Sequence, residues 1–85
     1  MNPIPDIKRF LVRALHRLNG LPWPDALLDD AVRQALVPSP LQSDIQQAKR
    51  ELETGGFLQG SRDELDDQLT WTLTEKGRHK AKQLG

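Results

Sequence analysis

The sequence contains no cysteine. That excludes disulfides, thiolate chemistry and any cysteine-ligated metal. It has only two histidines, His16 and His79, and no cysteine to complete a ligand set, so no metal and no cofactor is expected. Ser39, Ser43 and Ser61 lack any nucleophile context. No glycine-rich loop precedes a helix to cradle a phosphate, because Gly55 and Gly56 follow a helix instead. The sequence therefore does not read as an enzyme. No apolar run approaches the ~20 residues needed to cross a bilayer. The segment from Met1 to Asp6 has neither the basic nor the apolar region of a signal peptide. A reduced, cytoplasmic protein with no membrane contact is the expectation.

Net charge is also missing: twelve basic side chains balance twelve acidic ones among 85 residues. A dedicated nucleic-acid binder is usually basic, since phosphate neutralisation supplies much of its affinity. Distribution counts for more than the sum, and here it is uneven. The length suits one small domain over 1–85 with a modest core. No internal repeat or low-complexity tract is visible.

What is present is organised around Ser39 to Leu58. Ser39 can cap a helix, Pro40 suits its first position, and Gln42 lies three residues after the cap. Leu41, Ile45, Ala48 and Leu52 recur at helical spacing along one face. Gly55 and Gly56 stop the helix, and Phe57 and Leu58 begin a strand. The opposite face carries Gln42, Ser43, Gln46, Gln47, Lys49 and Arg50.

Upstream, a first helix starts near Pro5 or Asp6, with Asp6 as its cap. Ile7, Phe10, Leu11, Ala14, Leu15 and Leu18 form its buried stripe. Its outer face carries Lys8, Arg9, Arg13, His16 and Arg17, and Asn19-Gly20 ends it. Leu21 to Pro24 reads as a stiff connector with Trp23 over the core edge. A second helix spans about Pro24 to Leu36 on Leu27, Leu28, Ala31, Val32, Ala35 and Leu36. Asp25 sits in its first turn, and Asp29 and Asp30 read as solvated surface. Downstream, Gln59, Gly60 and Ser61 leave the strand for the polar loop Arg62 to Asp67. Gln68 to Thr74 alternates, with Leu69, Trp71 and Leu73 inward, as a half-buried strand does. Thr74 caps a basic final helix from Glu75 to about Leu84. Only Ala81 and Leu84 give that helix apolar contact, so it is weakly docked or completed by a partner chain.

Three helices, a β-hairpin and a terminal helix, in that order, suggest an α+β, mainly helical, winged helix-turn-helix. The run Glu51 to Leu58, Glu-Leu-Glu-Thr-Gly-Gly-Phe-Leu, is similar to the one that closes the recognition helix of MarR-like and PadR-like bacterial regulators. Leu73 to Arg78, Leu-Thr-Glu-Lys-Gly-Arg, resembles the one that ends their wing and opens the next helix. The two motifs cover roughly the second half of the chain. The resemblance implies a transcription regulator or DNA-binding subunit whose third helix enters the major groove of double-stranded DNA. Contacts would fall to Gln42, Ser43, Gln46, Gln47 and Arg50, with Arg62 from the wing. Glutamine suits adenine and arginine suits guanine. Homodimerisation through the C-terminal helix, or docking of a protein partner, is the accompanying expectation. The hairpin departs from the pattern, because Asp63, Glu64, Asp66 and Asp67 outnumber Arg62 and would repel phosphate. A protein-interaction module that uses the same frame without DNA therefore stands as the alternative.

Overall fold

The computed structural model describes residues 2–18 and 21–84. Asn19 and Gly20, the expected stop of the first helix, lie outside them. Four helices and three short strands follow in the order α1 (Ile4–Arg17), β1 (Trp23–Pro24), α2 (Asp25–Ala35), α3 (Gln42–Thr54), β2 (Leu58–Arg62), β3 (Leu69–Leu73) and α4 (Glu75–Leu84). This is a winged helix: a three-helix body with a β2–β3 hairpin, closed by a fourth helix.

Helix α1 starts earlier than the spacing predicts. The Asn2 side chain accepts from the Ile4 N–H at 3.0 Å, and Ile4 is itself buried. Asp6 is not the cap; it pairs with Arg9 one turn on. Ile7, Leu11, Val12 and Leu15 fill the centre of the core against Leu28 and Val32 of α2 and Ile45, Ala48 and Leu52 of α3. The apolar stripe of α2 is narrower than expected. Leu27 and Ala35 face outward, and Asp29, expected in solvent, is 7% exposed.

Ser39 does not cap α3. Its hydroxyl donates to the carbonyl of Arg33 at 2.7 Å and so closes the end of α2. Leu41 occupies the cap position of α3, 69% exposed, with no side-chain cap bond. The far end matches the glycine reading in detail. Gly56 takes the left-handed conformation at φ 83°. Phe57 N–H then bonds Leu52 O at 2.9 Å and Gly56 N–H bonds Glu53 O at 3.0 Å, the paired bonds of a Schellman closure.

The sheet order is β1-β3-β2. The expected connector at Trp23-Pro24 is a short edge strand, with Trp23 opposite Trp71 and Pro24 opposite Thr70. Proline is tolerated there because an edge strand leaves one side of its backbone unpaired. Trp23 does pack on the rim of the core. Gln59, Gly60 and Ser61 do not leave the strand: they pair with Thr72, Trp71 and Thr70. Gly60 lies opposite the large Trp71, where an added Cβ would stand 3.2 Å from the indole.

Thr74 caps α4 as expected, accepting from Gly77 N–H at 3.0 Å while its hydroxyl reaches Gly56 O at 2.6 Å. Gly77 explains how so polar a helix docks. A Cβ at Gly77 would stand 2.2 Å from the carbonyl oxygen of Phe57, so only glycine lets the backbones approach. Ala81 is buried against the body, and Arg13 donates to the carbonyl of Leu84 at 2.8 Å, tying α4 to α1.

Candidate nucleic-acid interface

The 3.6-residue repeat of α3 sends Ile45, Ala48 and Leu52 inward and Ser43, Gln47 and Arg50 outward. Lys49 breaks the sequence reading. Its side chain is 1% exposed, on the buried side of the helix, and not on the polar face. Its ammonium donates to Asp25 Oδ1 at 2.6 Å, to Asp25 O at 3.3 Å, and to Asp29 Oδ1. The Trp71 indole N–H also donates to Asp25 Oδ1, at 2.7 Å. One lysine of α3, two aspartates of α2 and one tryptophan of β3 thus form a single network in the interior. A lysine is buried only where its charge is answered, and here two carboxylates answer it.

Electrostatics follow from that placement. Burial alone would push the Asp25 carboxyl up. Hydrogen bonds from Lys49 and Trp71, with the charges of Lys49 and Arg62, outweigh it and hold the group below the ordinary aspartate value.

The network continues to the N-terminus of α3. Gln42 Nε2 donates to Asp29 Oδ2 at 3.0 Å, and the Gln42 carbonyl accepts from Arg33. Arg33 also pairs with Asp30 at 3.1 Å. The Gln42 amide therefore has a neighbour on its N–H side and another on its carbonyl side, although the residue itself is exposed. Arg33 was not singled out from sequence. Its position three residues after Asp30, in the last turn of α2, is the pattern that could have shown it.

The other expected contact residues divide. Ser43, Gln46 and Arg50 have no side-chain hydrogen bond or ion pair among the described residues; Ser43 and Arg50 are exposed and Gln46 is half-buried. Gln47 donates to Glu51 at 2.7 Å, leaving its carbonyl free. Lys8 at 2.6 Å and that amide hold the Glu51 carboxyl below the ordinary glutamate value. Arg62 stands apart on β2, its guanidinium donating to Asp67 O at 3.1 Å.

The wing acids are partly structural. Asp63 Oδ1 accepts from Leu65 N–H at 2.7 Å, Asp66 Oδ1 accepts from Gln68 N–H at 3.0 Å, and Asp67 adopts φ 55°. Short side chains that bond their own backbone build such turns. Their charge remains outside, facing solvent.

Among the described residues, no group of histidine, cysteine or acidic side chains is arranged to hold a metal ion. None of the helices described is long and apolar enough to cross a membrane.

No family model matches the chain, and no curated relative matches it. Two solved structures of mutant ZitR from Lactococcus lactis do. One, in the apo form, has a TM-score of 0.73 at 17% identity, covering 94% of this chain and 55% of ZitR. The other has a TM-score of 0.71 at 18% identity, covering 92% of this chain and 48% of ZitR. The chain thus spans about half the length of these winged-helix neighbours. At that identity the likeness is one of fold.

Proposed function

We propose that this chain binds double-stranded DNA, as a cytoplasmic regulator or the DNA-binding unit of a larger one, with α3 in the major groove. One observation carries the reading. With Lys49 buried and the exposed Gln42 engaged by Asp29 and Arg33, the outer face of α3 still presents Ser43, Gln46 and Arg50 with no partner of their own among the described residues. These are side-chain types that read base edges or hold phosphate. The winged-helix frame and the ZitR likeness support the same assignment at the level of fold.

Within this reading Gln42 and Lys49 are positioning residues. Gln42 fixes the N-terminus of α3 through Asp29 and Arg33, and Lys49 fixes the rotation of the helix. Reading then falls to Ser43, Gln46, Gln47 and Arg50, with Arg62 as the wing's one cation. The test is duplex binding by the double variant Arg50→Ala with Gln46→Ala. Binding should weaken about tenfold to a hundredfold, the range for losing one good base or phosphate contact. Arg50 is exposed and Gln46 half-buried, so the melting temperature should stay nearly unchanged. Equal binding by the variant would end the assignment of α3.

A second reading, a protein-interaction module, is favoured by the hairpin alone. Asp63, Glu64, Asp66 and Asp67 face solvent around a single arginine, a charge that phosphate repels.

A further inference from the structure

The hairpin tip has a chemistry that another part of the same molecule complements. Leu65 is 97% exposed at the apex of the wing. The turn that presents it is built, since Asp63 fixes the Leu65 N–H and Asp66 fixes that of Gln68. The tip is therefore one aliphatic side chain ringed by four carboxylates.

Between α1 and α4 lies a groove of about 290 Å³. Val12, Phe57 and Leu84 form its apolar floor, and Lys8, Arg9 and Lys80 stand on its rim. Lys8 is answered by Glu51 and Arg9 by Asp6, but Lys80 has no carboxylate within ion-pair distance among the described residues. Lys76 adds a further cation 4.6 Å above the Phe57 ring. The groove thus offers an apolar seat with an excess of positive charge around it.

We infer that the wing tip of one copy docks in this groove of a second copy, Leu65 on the apolar floor and the tip carboxylates against Lys80 and its neighbours. A tip cannot reach the groove of its own chain. Strand β2 rises about 3.3 Å per residue, carrying the hairpin roughly 16 Å from Phe57 before the loop begins. Nucleic acid would match the cations but brings no aliphatic anchor for the floor, whereas the chain's own tip brings both. If each tip meets the other's groove, two copies close into an isologous two-fold pair; if not, the contact is heterologous and copies join head to tail. A five-residue tip buries far less than the ~800 Å² per partner of a stable interface, so association is weak and concentration-dependent. The inference is independent of whether α3 reads DNA.

Sedimentation of the whole chain without nucleic acid tests it, across micromolar to millimolar concentration. Wild type should sediment faster as concentration rises. Leu65→Ser and, separately, Lys80→Glu should each weaken association about tenfold or more, with unchanged melting because both side chains are exposed. Mixing the two variants should restore association above that of either alone, because each retains the half the other lacks. A wild type that stays a single chain at every concentration would overturn the inference. So would variants that associate like wild type, or a mixture that sediments no faster than its components.

Discussion

Lys49 is the residue on which the interior turns. Its ammonium is shared by Asp25 and Asp29, and Trp71 and Gln42 complete their hydrogen bonds. Removing one partner of such a cluster is costlier than replacing the whole of it, because uncompensated charge is left behind. Lys49→Met should destabilise the fold by about 3–5 kcal/mol near neutral pH, a large share of the ~5–15 kcal/mol a domain has. The pH dependence should change sign. In the wild type, Asp25 titrates below its ordinary value of 3.8. Its stabilisation is therefore fully present above that value and lost as pH falls through the lower folded one. In Lys49→Met the Asp25 carboxylate loses its cation while Asp29 remains beside it, so burial and like charge raise its folded value above the unfolded one. The variant should then recover stability as pH falls from neutral towards about 5, because protonation relieves the repulsion. Urea unfolding of both proteins at the two pH values checks this. An equal deficit at both would mean that Lys49 contributes packing and not charge.

At the scale of elements, the hairpin concentrates the carboxylates that would oppose a polyanion. Asp63 and Asp66 shape the turn, whereas Glu64 has no side-chain partner among the described residues and Asp67 holds Arg62 only from a distance of 3.7 Å. Neutralising the two that the turn does not need, by Glu64→Gln with Asp67→Asn, should raise duplex affinity severalfold at low salt and little at high salt. Asparagine tolerates the positive φ at position 67, so the hairpin should keep its form. The same variant should weaken self-association. Unchanged duplex affinity in an anisotropy titration would show that the wing stays clear of the phosphates.

The elements also show what periodicity reveals and what it hides. Helix order, the Gly56 stop, the inward face of β3 and the Thr74 cap were all legible, because each rests on chemistry within a few residues. The burial of Lys49 and Asp29 was not. Both are charged residues at positions that only the approach of α2 to α3 turns inward, and no local pattern records that approach. For the same reason Ser39 read as the start of α3 when it closes α2. A cap is named from sequence by the helix it precedes, and the six residues separating Ser39 from Arg33 conceal the other partner. The candidate face of α3 was legible as a set of side-chain types, but its division into engaged and free members needed the fold.

For the whole molecule, zero net charge conceals segregation. Cations line α1 and α4, carboxylates crowd the wing, and the outer side of α3 is mostly neutral and polar. A protein built this way cannot depend on bulk attraction to DNA. In the proposed complex the affinity comes from a few placed groups: Arg50 of α3, Arg62 of the wing, and Arg33, which bonds Gln42 at the start of α3. Each neutralised phosphate contributes about 0.9 to the slope of log affinity against log salt. A duplex titration from low to physiological salt therefore decides whether these few groups hold DNA. Binding should be measurable at low salt with a slope of roughly −2 to −3 per chain. Absence of binding to any duplex at low salt would contradict that reading.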